Sequence, residues 1–126
     1  MLLNRGAWGD RQVVPAAWID QATGRSSSSL NAAYGYLFWL NRPGTIASPL
    51  VAAGVGQPAE AATDGQVTAG APDDIFWAIG FGNQIVQVDP GSRTVVVRLG
   101  AAVRPEPPTF GPVEASRVVT DAVTGS

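Results

Sequence analysis

The chain has 126 residues, 45% of them hydrophobic, with a formal net charge of -2 and a pI near 4.8. That is enough for one domain with a modest core, and the lack of any basic run excludes a nucleic-acid footprint or an anchor on an anionic membrane surface. Cysteine and histidine are absent and all eight basic residues are Arg, which removes Cys/His metal centres, His- or Lys-assisted nucleophiles and Schiff-base chemistry, because a guanidinium does not give up its proton.

No metal or cofactor is expected, and catalysis by this chain alone would have to come from Asp, Glu, Ser, Thr or Tyr. No apolar run reaches the roughly eighteen residues of a membrane span, and the start MLLNRGAWGD has too few apolar residues for a signal peptide. Compartment is not readable.

In chain order, Met1 to Gly6 reads as the last turn of a helix, with Gly6 as a left-handed cap. GDRQVVP gives a Gly-Asp turn and an extended piece. PAAWIDQAT then starts a helix at Pro15 that Gly24 ends, with Trp18, Ile19 and Ala22 as its buried stripe. RSSSSLN, Arg25 to Asn31, is a polar loop whose serines have no base to activate them. AAYGYLFWLN reads as a strand covered on both faces, Tyr34, Tyr36 and Phe38 on one and Leu37 and Trp39 on the other.

The stretch from Arg42 to Pro72 has neither period and is expected to be one long loop, about residues 41–74 at its widest. Within it GVGQPA, Gly54 to Ala59, fits the Gly-x-Gly-x-x-Ala pattern for dinucleotides, but Pro58 and the lack of βαβ flanks favour a flexible insertion. Asp73 and Asp74 are adjacent in an extended segment, so they point to opposite faces and read as solvated loop acids rather than a general acid and base.

IFWAIGFGNQIVQVDPGSRTVVVRLG is the clearest signal. Two β-rich runs flank Asp89-Pro90-Gly91-Ser92, where Pro90 and Gly91 suit the two central positions of a type II turn. The nearly all-Val run TVVVRL is expected to be a central strand between layers. Pro112 to Val123 closes the chain as an amphipathic helix, with Ala115, Val118, Val119, Ala122 and Val123 on the stripe facing the sheet.

The candidate site lies in IGFGNQ. Taken as one strand, Gly80 and Gly82 point to the same face and leave it bare, so a ligand could lie against the backbone amides as in an oxyanion hole. A bulge or twist with a helix packed close explains the same glycines, and the pattern leaves both readings open.

MLLNRGAWGDRQVVPAAWID, YGYLFWLN and APDDIFWAIGFGNQIVQVDPGSRTVVVRLG together resemble, over residues 1 to 100, the C-terminal portion of serine hydrolases of the β-lactamase and DD-peptidase superfamily. Within that superfamily the stretches resemble class C-like esterases and nylon-oligomer hydrolases. The resemblance implies an α/β (α+β) class, an antiparallel sheet flanked by helices, forming part of a β-lactamase/transpeptidase-like fold with a C-terminal helix, and residues 1–126 as one domain. It also implies that Gly80-Phe81-Gly82 occupies the family's third motif, usually Lys-Thr-Gly or His-x-Gly, with Asn83 offering the oxyanion N–H. Gly80, Phe81, Gly82, Asn83 and Gln84 would then wall the substrate site.

Neither Ser-x-x-Lys nor Tyr-x-Asn occurs in the chain, and no Lys or His stands in the third motif. No catalytic residue is therefore assigned here, and the chain is expected to be inactive alone. The complete enzyme would take a small ester, amide or peptide substrate, without nucleic acid or metal. The competing expectation is a non-catalytic binding or interaction module that uses the groove beside Gly80 and Gly82, or an exposed sheet edge open to self-association, for a ligand or partner.

Overall fold

The computed structural model describes residues 1–47, 63–80, 84–100 and 111–124. The chain opens with a single 3-10 turn, Leu2–Asn4, ended by Arg5 in the left-handed region (φ 46°, ψ 46°) with Gly6 beyond it at φ 91°. The expected terminal helical turn is thus a tighter one, and its left-handed cap falls on Arg5. Gly6 is nonetheless required, because the Val14 carbonyl lies where its Cβ would be. Strands β1 (Ala7–Trp8) and β2 (Arg11–Gln12) pair across a two-residue turn, with Gly9 at φ 57° in its first position. Helix α1, Ala16–Gly24, begins one residue later than expected, with Pro15 as its N-cap (φ -53°, ψ 132°) rather than its first helical residue.

Only Ile19 and Ala22 of the expected α1 stripe are buried, while Trp18 is exposed. At about 100° per residue Ala22 falls between Trp18 and Ile19 on the helix, so the buried face runs from Ala22 toward Ile19 and Trp18 stands at its outer margin. Nine residues are too few for a stable isolated helix, so α1 depends on this burial and on the ion pair between Arg5 and Asp20.

AAYGYLFWLN is not one strand. The chain reverses at Gly35–Phe38, Leu37 takes φ 65° and stands in solvent, and Tyr34 bridges back to Trp39, with their rings 5.2 Å apart edge to face. Gly35 permits the reversal because an added Cβ would fall 2.5 Å from the Ala22 carbonyl oxygen at the end of α1. Only β3, Trp39–Leu40, enters the sheet.

The expected long loop also contains structure. Strand β4 (Gly44–Ile46) pairs antiparallel with β5 (Thr63–Gly65), a match too distant in sequence for local pattern to reveal. The Gly54–Ala59 stretch lies outside the described residues. Buried Asn41 organises the segment that follows β5. Its Nδ2 lies 3.1 Å from each of the carbonyls of Thr68, Ala71 and Pro72, its two N–H groups shared among these three acceptors, and its Oδ1 accepts from the Thr68 N–H at 2.8 Å.

The main sheet is antiparallel with the order β3-β6-β7-β8, where β6 is Phe76–Gly80, β7 is Gln84–Asp89 and β8 is Thr94–Arg98. The stretch from Ile79 to Asp89 is therefore two strands: Gly80 pairs with Gln84 and the chain reverses between them. The β7–β8 hairpin is where the sequence places it, but the left-handed residue is Arg93 (φ 56°) and Gly91 has no positive φ, so the expected type II geometry is replaced by a four-residue connection. Among the described residues, the only strand beside β8 is β7, and Val95 and Val97 are exposed, which corrects the central-strand expectation.

Directly opposed residues of antiparallel strands share a face. One face carries Leu40, Phe76 and Val88, packed by Leu2, Leu3, Phe38 and Val86. The other carries Ile75, Trp77 and Ile85, packed by Trp39, Val67, Ala71 and Ile79. Each such side chain contributes about 1.5–3 kcal/mol on full burial. Helix α2, Pro112–Thr124, packs on β7 and β8 through Ala115, Ser116 and Val119. Val118, Ala122 and Val123 of the expected stripe face solvent, because the buried face is narrower than the run of apolar residues. The architecture is α+β, and no helix among the described residues is long and apolar enough to cross a membrane.

Candidate functional site

The site is built on the outer edge of β6. Strand β3 covers that edge only at Phe76 and Trp77, because the reversal at Gly35–Phe38 peels the chain away where Phe38 would next oppose Ala78. Among the described residues, no strand pairs with Ala78–Gly80 on this side. Alternate residues direct their backbone groups to opposite edges, so at least one of these three turns its N–H outward. Gly80 is exposed, and the nearest atoms to an added Cβ would be Gln84 Cβ at 3.5 Å and the Gln84 carbonyl oxygen at 3.9 Å. No packed helix closes over Gly80, which removes the close-packing explanation for that glycine.

Of the other expected wall residues, Phe81, Gly82 and Asn83 lie outside the described residues. A single bare strand face running from Gly80 through Gly82 is ruled out by the Gly80–Gln84 pairing. Gln84 is committed elsewhere: its Nε2 donates to the Gly100 carbonyl at 2.6 Å and its Oε1 accepts from the Gly100 N–H at 3.0 Å. That two-way clamp holds the chain leaving β8 against the start of β7. Gln84 thereby braces the hairpin end that carries Gly80.

The serines of the polar loop serve as wiring. The single hydroxyl proton of Ser26 is shared between the carbonyls of Asn31 and Tyr34, the latter at 3.2 Å, and that of Ser27 between those of Tyr34 and Gly35, both at 3.2 Å. Hydroxyls so occupied, in a chain with no Lys or His to take their proton, are held as structural donors. Asp73 and Asp74 are both exposed, and Asp73 Oδ1 accepts from Gln66 Nε2 at 2.8 Å, as befits loop acids. No group of three or more His, Cys, Asp or Glu among the described residues could hold a metal ion.

The resolved electrostatic shifts lie away from this edge. The hydrogen bond from Arg5 holds the Asp20 carboxyl below its ordinary range, and the same contact raises Arg5. Hydrogen bonding from the Gly111 N–H, at 2.8 Å, does the same to Glu114 at the start of α2.

Sequence reasoning missed Arg42, which lines a cavity of about 320 Å³ between the 3-10 turn, α1 and the Phe76 end of β6, and whose buried Nε has no hydrogen-bond partner among the described residues. It also missed buried Gln87, since a lone Gln in a strand reads as a solvent-facing residue. No family model matches the chain, and neither a curated protein nor a solved structure shows significant similarity to it.

Proposed function

We propose that the chain is the sheet-bearing C-terminal part of a serine acyl hydrolase of the β-lactamase and DD-peptidase kind, with the outer edge of β6 and the Gly80–Gln84 connection as its oxyanion and substrate wall. The observation that carries this reading is the uncovered β6 edge at Ala78–Gly80, ending on an exposed glycine with nothing packed against it. When a serine oxygen adds to an ester or amide carbonyl, the C=O electron pair moves onto oxygen. Fixed backbone N–H donors outside bulk water stabilise that charge, and removing one such donor typically costs on the order of 10²–10³ in rate.

The chain's own inventory assigns the remaining roles elsewhere. With no Lys, His or Cys it has no base to activate a serine, so the nucleophile and its base would be supplied by polypeptide other than these residues. Phe81, Gly82 and Asn83 belong to the wall through the family resemblance, with Asn83 as the second amide donor.

The test is covalent labelling of the purified chain with a fluorescent penicillin and with a fluorophosphonate. The reading predicts no label and no hydrolysis of chromogenic esters. Labelling at any of Ser26 to Ser29 would overturn it, because those hydroxyls would then be activated after all.

A second reading, an interaction module that self-associates, is favoured by Val95 and Val97, which stand exposed on β8 beside the groove lined by Met1, Leu2 and Val86. Static light scattering separates the two. A monomer that unfolds cooperatively leaves no role for that stripe, and a defined dimer lost on Val97→Arg supports self-association.

A further inference from the structure

Strand β8 ends the main sheet on the side away from the β6 edge. Its register with β7 runs residue for residue from Thr94 to Arg98, so it has no bulge, and it contains neither Pro nor Lys. Those are the devices that usually blunt an exposed edge. Among the described residues no strand pairs with its outer side, where alternate residues direct N–H and C=O groups outward. Both ends of the strand are held in place. Gln84 clamps Gly100 just past its C-terminal end, and Arg93 Nη2, just before its start, donates to Asn4 Oδ1 at 3.1 Å. Val95 and Val97, directly opposite Val88 and Val86, extend the apolar face that Leu2 and Leu3 cover, yet they are 47% and 56% exposed. The groove of about 260 Å³ beside them is lined wholly by apolar residues, Met1, Leu2, Leu3, Val86, Val88 and Val95.

We propose that β8 pairs with β8 of a second copy, antiparallel about a two-fold axis through Val96, joining the two four-stranded sheets into one. The proposal rests on the self-association reading above and supplies its partner surface and register. The strand is its own complement in this arrangement. Val95 of one copy opposes Val97 of the other, Val96 opposes Val96, and Thr94 opposes Arg98. Directly opposed residues share a face, so the valines of both copies close into one apolar patch, and each Val97 stands against the open side of the other copy's groove. The two Arg98 lie at opposite ends of the ladder. A parallel pairing would set them side by side, a destabilising like-charge contact, and would put the two valine stripes on opposite faces. Centring on Val96 also pairs all five residues of the strand, the longest ladder β8 allows. The outer edge of β6 lies at the far side of the sheet and is untouched. One strand pairing buries less than the roughly 1,600 Å² of a standard interface, so the dimer is reversible and concentration-dependent.

The test combines sedimentation with disulfide trapping in the 126-residue chain, which has no Cys of its own. Opposed Cα atoms of an antiparallel pair lie about 4.5–5.5 Å apart, within reach of a disulfide, whereas diagonal neighbours at about 7–8 Å are beyond it. Val96→Cys should therefore cross-link to itself. Val95→Cys should cross-link to Val97→Cys when the two variants are mixed, and neither should cross-link to itself. Val96 is half-buried, so the mixture carries the test should Val96→Cys fail to fold. In sedimentation, Val97→Arg should weaken the dimer by at least about tenfold, since each copy loses a buried Val. Leu37→Arg, at an exposed leucine in the turn before β3, should leave it unchanged. A dimer that survives Val97→Arg, or that traps through Val95→Cys alone as readily as through the mixture, overturns the proposed pairing and leaves self-association standing. A strict monomer at millimolar concentration overturns both and leaves the edge to a different chain. Growth beyond two copies overturns the closed two-fold arrangement. None of these outcomes depends on acyl transfer at β6.

Discussion

The indole N–H of Trp77 donates to Gln87 Oε1 at 2.8 Å from the position directly opposite it on the β6–β7 ladder, with both residues fully buried. Ser116 Oγ donates to the same oxygen at 3.1 Å from α2. An indole nitrogen can only donate, so the Gln87 amide is fixed with its oxygen toward Trp77. One acceptor thus ties the sheet that carries the candidate site to the helix that closes it. Gln87→Leu should cost about 1–3 kcal/mol, because it leaves two buried donors without an acceptor while also removing Gln87 Nε2, which is buried without a partner among the described residues. Adding Ser116→Ala to Gln87→Leu should recover part of that loss, read from urea-unfolding midpoints.

Two glycines make opposite predictions. Gly35→Ala drives a methyl group into the Ala22 carbonyl at 2.5 Å and against Leu40 Cδ1 at 3.2 Å, and should cost about 1–3 kcal/mol. Gly80→Ala meets nothing closer than 3.5 Å and should change stability by less than about 0.5 kcal/mol. Thermal melts of the two variants check the pair. Similar losses would mean that the face of the strand at Gly80 is packed, contrary to its exposure.

Helix α2 begins with Pro112 at its first position, and Glu114 reaches back to the Gly111 N–H, half of a capping box. Glu114→Gln should cost about 0.5 kcal/mol at neutral pH, on the scale of exposed helix-terminal interactions. The folded-state pKa of Glu114 is lowered, so its contribution is fully present above the unfolded-state value near 4.3 and is lost as pH falls through the lower folded value. The gap between wild type and variant should therefore close below about pH 4 in paired denaturation curves.

Asn41 is the strongest single tie outside the sheet. Asn41→Ala removes an amide whose two N–H groups serve three carbonyls, and whose oxygen accepts one N–H, across residues 68–72. It should cost about 3 kcal/mol, since buried groups are left unpaired. Hydrogen exchange at Thr68 N–H should accelerate with it.

The parts of the fold legible in the sequence were those set by neighbours in the chain. Pro15 and Gly24 bracketed α1, and Asp89 to Ser92 announced the β7–β8 reversal. Failures came where tertiary contacts decide. Aromatic residues from Tyr34 to Trp39 carry β propensity, yet Gly35 against the end of α1 folds them into a turn. The valines of β8 read as central because sequence does not record which strand lies at an edge. At the candidate site, the glycines of IGFGNQ correctly marked an interruption, but not that it was a strand reversal. Arg42 carried no local pattern, because its significance arises only where the 3-10 turn and α1 meet β6.

The central claim is that the β6 edge serves a serine nucleophile carried on other polypeptide. Sequencing the DNA 5′ of the Met1 codon tests it most directly. The account predicts a reading frame there, contiguous or separated by a single frameshift, that encodes Ser-x-x-Lys followed by Tyr-x-Asn. An upstream region without those two motifs in any frame would contradict it.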